Sequence, residues 1–470
     1  MFKFLRNINQ FKLKLKFNVF VHTIDQVFLL SAAWTSNQFV WAAQYGHVTT
    51  TLRKLGWSDS LVGFLWLVGP ISGIIVQPVI GAHSDRCTSS MGPRRPYLLV
   101  GLVLVSLTSW IFGNAVYLGR YLGDPADGSH TEIAAFIATA AFFLQDCALN
   151  CFQGPLRALV ADALPSAWHA AANSALSLSS GIGFILGYGL GAIDLLVIFP
   201  FFLSQDQAVF CLASFTTVLI GLPAVLALKE QPLDPSTIRE QSARERCAES
   251  FPSLAVLPAT LRLPFLAQLL TFAGWFCFKM YVVEFVAVGV YHGSADAAAG
   301  SEARKRFDDG IIYANKCLCA MSVLFVVFAF FTPGLMRRMK LQRLWMLSLV
   351  VGVVALGSCW MVRTAFDAAI MITALGIPFS AAYSIPWTLV TVAAGSSSGS
   401  GKITSAFNLS QCIPEVLVAL GSGFFFRTAT SSSNSESGGG EVESYKLRWV
   451  LTAGAAALAL AAVTAMCAFF

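Results

Sequence analysis

The chain alternates long apolar runs with short polar segments. An α-helix needs about 20 mainly apolar residues to cross the hydrocarbon core of a bilayer. Twelve runs approach that length, at 26–46, 61–81, 97–118, 132–153, 172–194, 208–228, 263–288, 311–331, 344–361, 366–392, 403–426 and 447–469. This pattern predicts an all-α integral membrane protein with twelve transmembrane helices.

The longest polar connection between these runs lies at 230–262 and contains four prolines. It predicts a central linker between two six-helix halves, at 26–229 and 263–470, with residues 1–25 as an N-terminal tail. Six spans, a linker and six further spans resemble the organisation of major facilitator transporters, whose two halves move around a site near the middle of the membrane. The resemblance at this level concerns architecture and gives no substrate.

The composition supports a membrane protein and excludes several other classes. Hydrophobic residues make up 56% of the chain, charged residues 12%, and the mean hydropathy is +0.67. These values argue against a disordered chain, a nucleic-acid-binding protein and a soluble enzyme. The net charge of +6 fits basic loops beside a membrane. The eleven cysteines lie mostly in apolar runs without metal-site spacing, so no metal site is expected.

Basic residues predict the orientation of the chain. Lys12, Lys14 and Lys16 alternate with apolar residues in the N-terminal tail, which favours a segment lying on the membrane surface over a secretory signal. Lys and Arg are more frequent in the tail and the loops on its side than in the loops on the other side. The positive-inside rule therefore predicts that both termini and the linker are cytoplasmic.

The fourth span carries a polar face. Asp146, Asn150, Gln153 and Arg157 are spaced by four, three and four residues, which places them on one side of a helix. An ionised group facing lipid costs about 2.5–3.5 kcal/mol or more, so this side is predicted to face the protein interior or a water-filled cavity. At 1.5 Å per residue, Asp146 and Arg157 lie roughly 16 Å apart and cannot pair within the helix.

Asp146 is the candidate proton site. It falls near mid-membrane, whereas Arg157 lies towards the predicted cytoplasmic end of the span. Desolvation disfavours the charged form of a carboxylate, which suits such a group to take up and release a proton. The alternative is that Asp146 forms a permanent structural bond with another helix.

The loop between spans two and three is a candidate cytoplasmic gate. Asp85 and Arg86 end one helix, and Arg94 and Arg95 begin the next. Charges at helix ends can pair and can stabilise the termini. We expect them to hold the two helix ends in one conformation; the alternative is an ordinary basic loop.

Several motifs resemble the plant sucrose/proton symporters and their relatives in solute carrier family 45. They are Ser84-Asp-Arg-Cys-Thr-Ser with Gly92-Pro-Arg-Arg-Pro-Tyr97, Gln38-Phe-Val-Trp-Ala-Ala-Gln44, Gln153-Gly-Pro-Leu-Arg-Ala158, Gly376-Ile-Pro-Phe-Ser380 and Asn408-Leu with Ile413-Pro414. The likeness extends over nearly the whole chain. It implies a major facilitator fold, with Asp146 as the proton-coupling carboxylate and Arg157 as the arginine that supports coupling.

The chain departs from the plant pattern at several positions. In span seven only Glu284 matches an acidic position, and Val288 and Gly289 replace an Arg-Glu pair. Asp59 stands where a plant histidine would be, and Glu415 replaces a glutamine in span eleven. These departures bear on plant-type sucrose selectivity and leave the span-four motif intact. Glu415 is a further candidate for binding sugar or protons.

Sugar binding requires amides and carboxylates for hydroxyl groups and aromatic faces for the apolar side of the ring. The candidate substrate-binding residues are Gln38, Trp41, Gln44, Asn150, Gln153, Glu284, Asn408 and Gln411. Glu284 has a second interpretation, because Lys316 lies at similar depth in span eight. An ion pair between them is expected either as an outer gate or as a static buried pair. Lys279 is expected to extend towards the membrane surface.

The sequence predicts a proton-coupled symporter for sucrose or a related glucoside, working by alternating access as a monomer. Its expected partners are sugar, proton and the lipid bilayer, without nucleic acid, and it needs no cofactor beyond the proton gradient. A hexose or polyol carrier and a non-transporting sugar sensor are the alternatives. No nucleophile–base pair or metal motif indicates an enzyme. The expected location is the plasma membrane, with vacuolar and lysosomal membranes as alternatives.

Overall fold

The computed structural model describes residues 2–125, 130–165, 168–237, 254–394, 400–431 and 439–468. The regular structure of these residues consists of α-helices and short 3₁₀ turns, and none of them forms a strand. The helices of the first half are α1 (Phe2–Lys54), α2 (Asp59–Leu65), α3 (Val68–Ser84), α4 (Arg95–Gly113), α5 (Ala115–Leu122), α6 (Glu132–Ala163), α7 (His169–Gly191), α8 (Leu195–Ile198) and α9 (Gln205–Ala227). Those of the second half are α10 (Ala259–Gly289), α11 (Glu302–Arg338), α12 (Leu341–Gly357), α13 (Ala365–Ala374), α14 (Gly376–Ala394), α15 (Ser400–Ser431) and α16 (Gly439–Cys467).

The predicted all-α membrane fold is confirmed. Among the described residues, eleven helical segments are long and apolar enough to cross a membrane. Some spans consist of two helices, as where α2 and α3 together form the span Asp59–Ser84. The twelfth predicted span lies in α1.

Hydropathy alone does not identify the span within helix α1, because this helix contains many polar residues. It runs from Phe2 to Lys54 without a break, so the predicted tail and the first span share one helix. Its buried polar side chains include Ser36, Asn37 and Gln44, each at most 1% exposed. Helix α1 packs against α7, α9 and α6, and these neighbours shield its polar side chains from lipid.

Among the described residues, the two halves contact each other mainly along four helix pairs. Helix α7 packs against α11, α2 and α3 pack against α15, and α1 packs against α10. An aromatic cluster lies between the halves: Phe184 of α7 stacks on Phe379 of α14 with ring centroids 5.4 Å apart, and Trp275 lies 4.5 Å from Phe379. The central part of the predicted linker, 238–253, lies outside the described residues.

Two ends of the bundle are distinguished below. The linker face is the end that carries Arg94 and Glu230, beside the start of the linker. The opposite face is the end that carries Arg53, at the C-terminus of α1. Helix α6 runs between the two faces, and its middle carries Asp146.

Candidate functional site

Asp146 is sealed in the middle of the bundle. Its side chain is fully buried, and Gln44 of α1 donates a hydrogen bond to Oδ1 at 3.1 Å. Among the described residues, the second oxygen, Oδ2, has no hydrogen-bond partner. A buried carboxylate without a full set of donors is costly in its ionised form, so this environment favours proton binding.

The amides of the first half form a closed network around Asp146. Gln44 also donates to Gln145, whose own amide donates to Ser109 at 2.6 Å. Asn150 donates to Ser72 at 2.7 Å and accepts from Gln77 at 2.6 Å. These bonds join α1, α3, α4 and α6, and they fix the position of Asp146 within the first half.

The predicted polar face of span four changes along its length, from the buried Asp146 and Asn150 to the partly buried Gln153 and Arg157. Gln153 accepts a hydrogen bond from Asn37 of α1 at 3.2 Å. Arg157 is placed on the linker side of this network, with its guanidinium 5.0 Å from the ring centroid of Trp34 and 5.5 Å from that of Trp387. Trp34 belongs to the first half and Trp387 to the second, so Arg157 contacts both halves.

The second half presents two charges to this site. Lys279 of α10 is 5% exposed, and its Nζ lies 4.6 Å from the ring centroids of both Tyr45 and Phe379. The expectation that Lys279 extends to the membrane surface is therefore wrong: its ammonium group is held over aromatic faces between the halves. Glu415 of α15 is 8% exposed and lies near Lys279.

The remaining predicted sugar ligands in this part of the molecule are Gln38 and Trp41 of α1 and Asn408 and Gln411 of α15. Trp41 stacks on Tyr45 at a centroid distance of 5.8 Å. Among the described residues, the side chains of Gln38 and Gln411 make no hydrogen bond, whereas Asn408 contacts Cys412 of its own helix at 3.8 Å. The amides of Gln38 and Gln411 are therefore available to a ligand.

Glu284 lies away from this centre, at the opposite face. There Arg53 pairs with four carboxylates, which are those of Asp59, Glu284, Asp296 and Glu443. Arg53 and Asp59 belong to the first half and the other three to the second. The predicted pair of Glu284 with Lys316 is wrong, because Lys316 is exposed and Glu284 contacts Arg53 at 3.3 Å.

A second cluster joins the halves at the opposite face. Lys54 pairs with Asp206 of α9 at 2.9 Å and with Asp308 of α11 at 2.6 Å. His47 contacts the other oxygen of Asp206 at 2.9 Å, and Asn315 of α11 donates to the backbone oxygen of Gly46. Sequence reasoning missed Arg53, Lys54 and His47 because all their charged partners except Asp59 lie more than 150 positions away in the chain.

Three of the carboxylates around Arg53 have the spacing of a cation site. Oxygen atoms of Asp59, Glu284 and Glu443 lie within 4.8 Å of one another. Arg53 already places a guanidinium among them, at 3.3 Å from both Glu284 and Glu443. The cluster is therefore an ion-pair network with its own cation.

The predicted cytoplasmic gate forms a compact cluster at the linker face. Arg94 pairs with Asp85 and, at 2.9 Å, with Asp162 of α6. Burial alone would lower the pKa of Arg94, but the two carboxylates raise it overall. Arg95 donates to the backbone oxygens of Val225 and Leu226, and Arg86 is partly buried nearby.

Glu230 completes this cluster. Its carboxylate accepts hydrogen bonds from the backbone N–H groups of Arg94 and Arg95 at 2.9–3.1 Å. These bonds cover donors at the first turn of α4, which no preceding turn can satisfy. Every residue of the cluster belongs to the first half or to the segment directly after it.

The whole chain was compared with known proteins. The profile of the Major Facilitator Superfamily matches residues 27–419. Sucrose transport protein SUT5 of rice (Oryza sativa subsp. indica) is 31% identical over 428 residues, 82% of this chain and 79% of that protein. Sucrose transport protein SUC3 of Arabidopsis thaliana is 28% identical, over 82% of this chain and 80% of that protein.

Solved structures share the fold. A bacterial homologue of the human lysosomal transporter Spinster, in an inward-facing and unoccupied conformation, aligns with a TM-score of 0.64 at 15% identity. The alignment covers 94% of this chain and 96% of that one. At this identity the likeness concerns architecture alone. As predicted, the chain is a membrane transporter and not an enzyme, and it belongs to the sucrose transport protein family within the Major Facilitator Superfamily.

Proposed function

We propose that the protein is a proton-coupled symporter for sucrose or a related glucoside. The observation that carries this proposal is Asp146, a fully buried carboxylate with one oxygen bonded to Gln44 and the other without a partner among the described residues. The relatives named sucrose transport proteins support sugar as the substrate. We further propose that the protein acts as a monomer in the plasma membrane.

The proposed cycle is alternating access. With the opposite face open to the exterior, Asp146 takes up a proton and sugar binds between the halves. The halves then close that face through the Arg53 and Lys54 clusters and open the linker face to the cytoplasm. Arg157, on the linker side of Asp146, contacts Trp34 of the first half and Trp387 of the second and supports the coupling of proton release to this opening.

The groups around the site suit a sugar. The stacked rings of Trp41 and Tyr45 offer an apolar surface to a sugar ring. The amides of Gln38 and Gln411 offer donors and acceptors to hydroxyl groups, and Asn408 offers its amide oxygen. Gln44 and Asn150 donate hydrogen bonds to Asp146 and hold it in place. Gln153 accepts a hydrogen bond from Asn37.

The driving force is sufficient for accumulation. One positive charge that crosses a potential of 100 mV contributes about 2.3 kcal/mol, which corresponds to roughly fifty-fold accumulation of a coupled sugar. The mechanism needs no cofactor, because the proton gradient supplies the free energy.

The test is uptake of radiolabelled sucrose by yeast that lacks sucrose transport and extracellular invertase. Uptake should be faster at an external pH of about 5 than at about 7.5 and should be lost with a protonophore, because the proton must enter from outside. Absence of uptake by protein shown to be at the cell surface would contradict sucrose as the substrate. The same assay with glucose, maltose and polyols then separates another carrier from a sensor, which would transport none of them.

A further inference from the structure

Two buried charges of the second half have no part in the proposed cycle. Lys279 is 5% exposed and Glu415 is 8% exposed. Lys279 lies over Tyr45 of the first half and Phe379 of the second, at 4.6 Å from each ring centroid. Among the described residues, no carboxylate oxygen lies within 4.0 Å of the Nζ atom of Lys279, so Lys279 forms no ion pair. The charge of Lys279 nevertheless interacts with that of Glu415.

Glu415 faces Asp146 across a glycine of α3. A Cβ atom at Gly69 would lie 3.1 Å from Oε1 of Glu415 and 3.4 Å from Oδ2 of Asp146. The absence of a side chain at Gly69 therefore lets carboxylates from opposite halves approach the same small space. The Asp146 oxygen that points there is the one without a hydrogen-bond partner.

The charges of Asp146, Glu415 and Lys279 sum to zero only when one of the two acids is neutral. Two ionised carboxylates this close in a water-poor interior repel each other, and a single ammonium group compensates only one of them. Glu415 is the acid that lies beside Lys279, whereas Asp146 receives a hydrogen bond from neutral Gln44. When the halves meet, one of the two acids must therefore carry a proton, and Lys279 can offset the charge of the other.

We propose that Glu415 is a positioning residue through which the second half senses the charge on Asp146. When Asp146 carries its proton, the halves can meet at mid-membrane. When Asp146 is ionised, its repulsion from Glu415 opposes that approach. Proton binding and the approach of the halves are thereby linked, which deepens the proposed function and rests on it.

The neighbouring groups leave this balance unchanged. The titratable or charged groups that face the two carboxylates are Tyr45 of α1, Cys147 of α6, Lys279 of α10, Tyr383 of α14 and Cys412 of α15. The tyrosines and cysteines are neutral at physiological pH. Arg157 lies on the linker side, between Trp34 and Trp387. Lys279 is therefore the one cation among the described side chains that face Glu415.

The test measures the proton directly, without any sugar. Purified full-length protein in lipid would be titrated while the infrared band of protonated carboxyl groups is recorded. The component that Asp146→Asn removes reports the charge of Asp146. Glu415→Gln removes a neighbouring negative charge, so the midpoint of this component should move to lower pH, by on the order of one pH unit. Lys279→Met removes a positive charge, so the midpoint should move to higher pH.

Matched variants separate this electrostatic effect from a structural one. Glu302→Gln and Lys340→Met change the same charges at exposed positions and should leave the midpoint unchanged. The double variant Glu415→Gln with Lys279→Met should return it towards the wild-type value. A wild-type band without a component that depends on Asp146 would overturn the proposed function. A component that titrates in the wild type but does not move in opposite directions in the two single variants would overturn the role of Glu415 alone.

Discussion

Two arginine clusters lie at the two ends of the bundle, and they differ in what they connect. Arg53 joins Asp59 of the first half to Glu284, Asp296 and Glu443 of the second. Arg94 joins Asp85 and Asp162, which both belong to the first half. The Arg53 cluster must break when the halves separate at the opposite face, whereas the Arg94 cluster can move as part of one rigid half.

Burial of the carboxylates differs in the same direction. The side chains of Arg53 and Arg94 are buried alike, at 8% and 11% exposure. Three of the four carboxylates around Arg53 are at most 19% exposed and Asp296 is the exception, whereas Asp85 and Asp162 are 60% and 44% exposed. A buried pair depends strongly on both partners, because loss of one leaves an unpaired charge in the interior. An exposed pair contributes little. Ion pairs between the halves therefore hold the opposite face closed. At the linker face, the Arg94 cluster only stabilises the ends of α3 and α4.

The largest expected effect is that of Arg53→Met. Removing one partner of a buried ion pair costs about 3–5 kcal/mol, which corresponds to a shift of more than about 100-fold in a conformational equilibrium. The variant should therefore open the opposite face. The measurement is the labelling rate of Ser60→Cys with a membrane-impermeant maleimide, because Ser60 donates to the Gly423 backbone oxygen across the closed interface.

Arg120→Met is the control for this experiment, since Arg120 is an exposed arginine of α5 near the same face. It should label at the wild-type rate. Equal labelling of the Arg53→Met variant and the wild type would mean that the ion pairs do not hold the opposite face closed.

A smaller effect is expected for Arg94→Met. Loss of pairs with two half-exposed carboxylates and of a bond to the buried Ser84 hydroxyl should destabilise the protein by about 1–2 kcal/mol. The melting temperature in detergent should fall, while labelling of Ser60→Cys stays at the wild-type rate. Labelling as fast as in the Arg53→Met variant would instead show that the linker-face cluster also governs the contact between halves.

The smallest effect concerns Glu230. Burial raises the pKa of its carboxyl above the ordinary 4.5, although bonds from the backbone of Arg94 and Arg95 lower it. Stability that comes from such a raised pKa is present below the unfolded pKa and is lost as pH rises through the folded value. Glu230→Gln should remove this loss, so the variant should gain stability relative to the wild type as pH rises above about 4.5.

The expected gain is under about 1 kcal/mol, because Glu230 is only half-buried and solvent screens its charge. Melting temperatures of both proteins across this pH range would measure it. An identical pH dependence in the two proteins would mean that the charge of Glu230 does not affect the stability of the linker-face cluster.

The sequence predicted the fold and the polar face of the fourth span, because the signals for both are local. Apolar run lengths indicate spans, and the four-three-four spacing of Asp146, Asn150, Gln153 and Arg157 indicates one helix face. Even for the fold, the mean hydropathy of α1 is lower than that of a typical span, because its buried polar residues face neighbouring helices and not lipid.

The contacts between halves could not be predicted in the same way. Arg53 and Glu284 are 231 positions apart, and no periodicity relates them. Similar depth in the membrane favoured Lys316 as the partner of Glu284, and the general behaviour of lysine placed Lys279 near the membrane surface. Packing decides both cases, because the close approach of the two halves selects which charges meet.

The most direct test of the central claim is transport by Asp146→Asn in liposomes that contain the purified protein. An imposed proton gradient should drive accumulation of labelled sugar in the wild type and in the control Asp309→Asn, which changes an exposed carboxylate. The Asp146→Asn variant should exchange sugar across the membrane without accumulating it, because an amide cannot carry the coupled proton. Gradient-driven accumulation by this variant at the wild-type level would contradict the account.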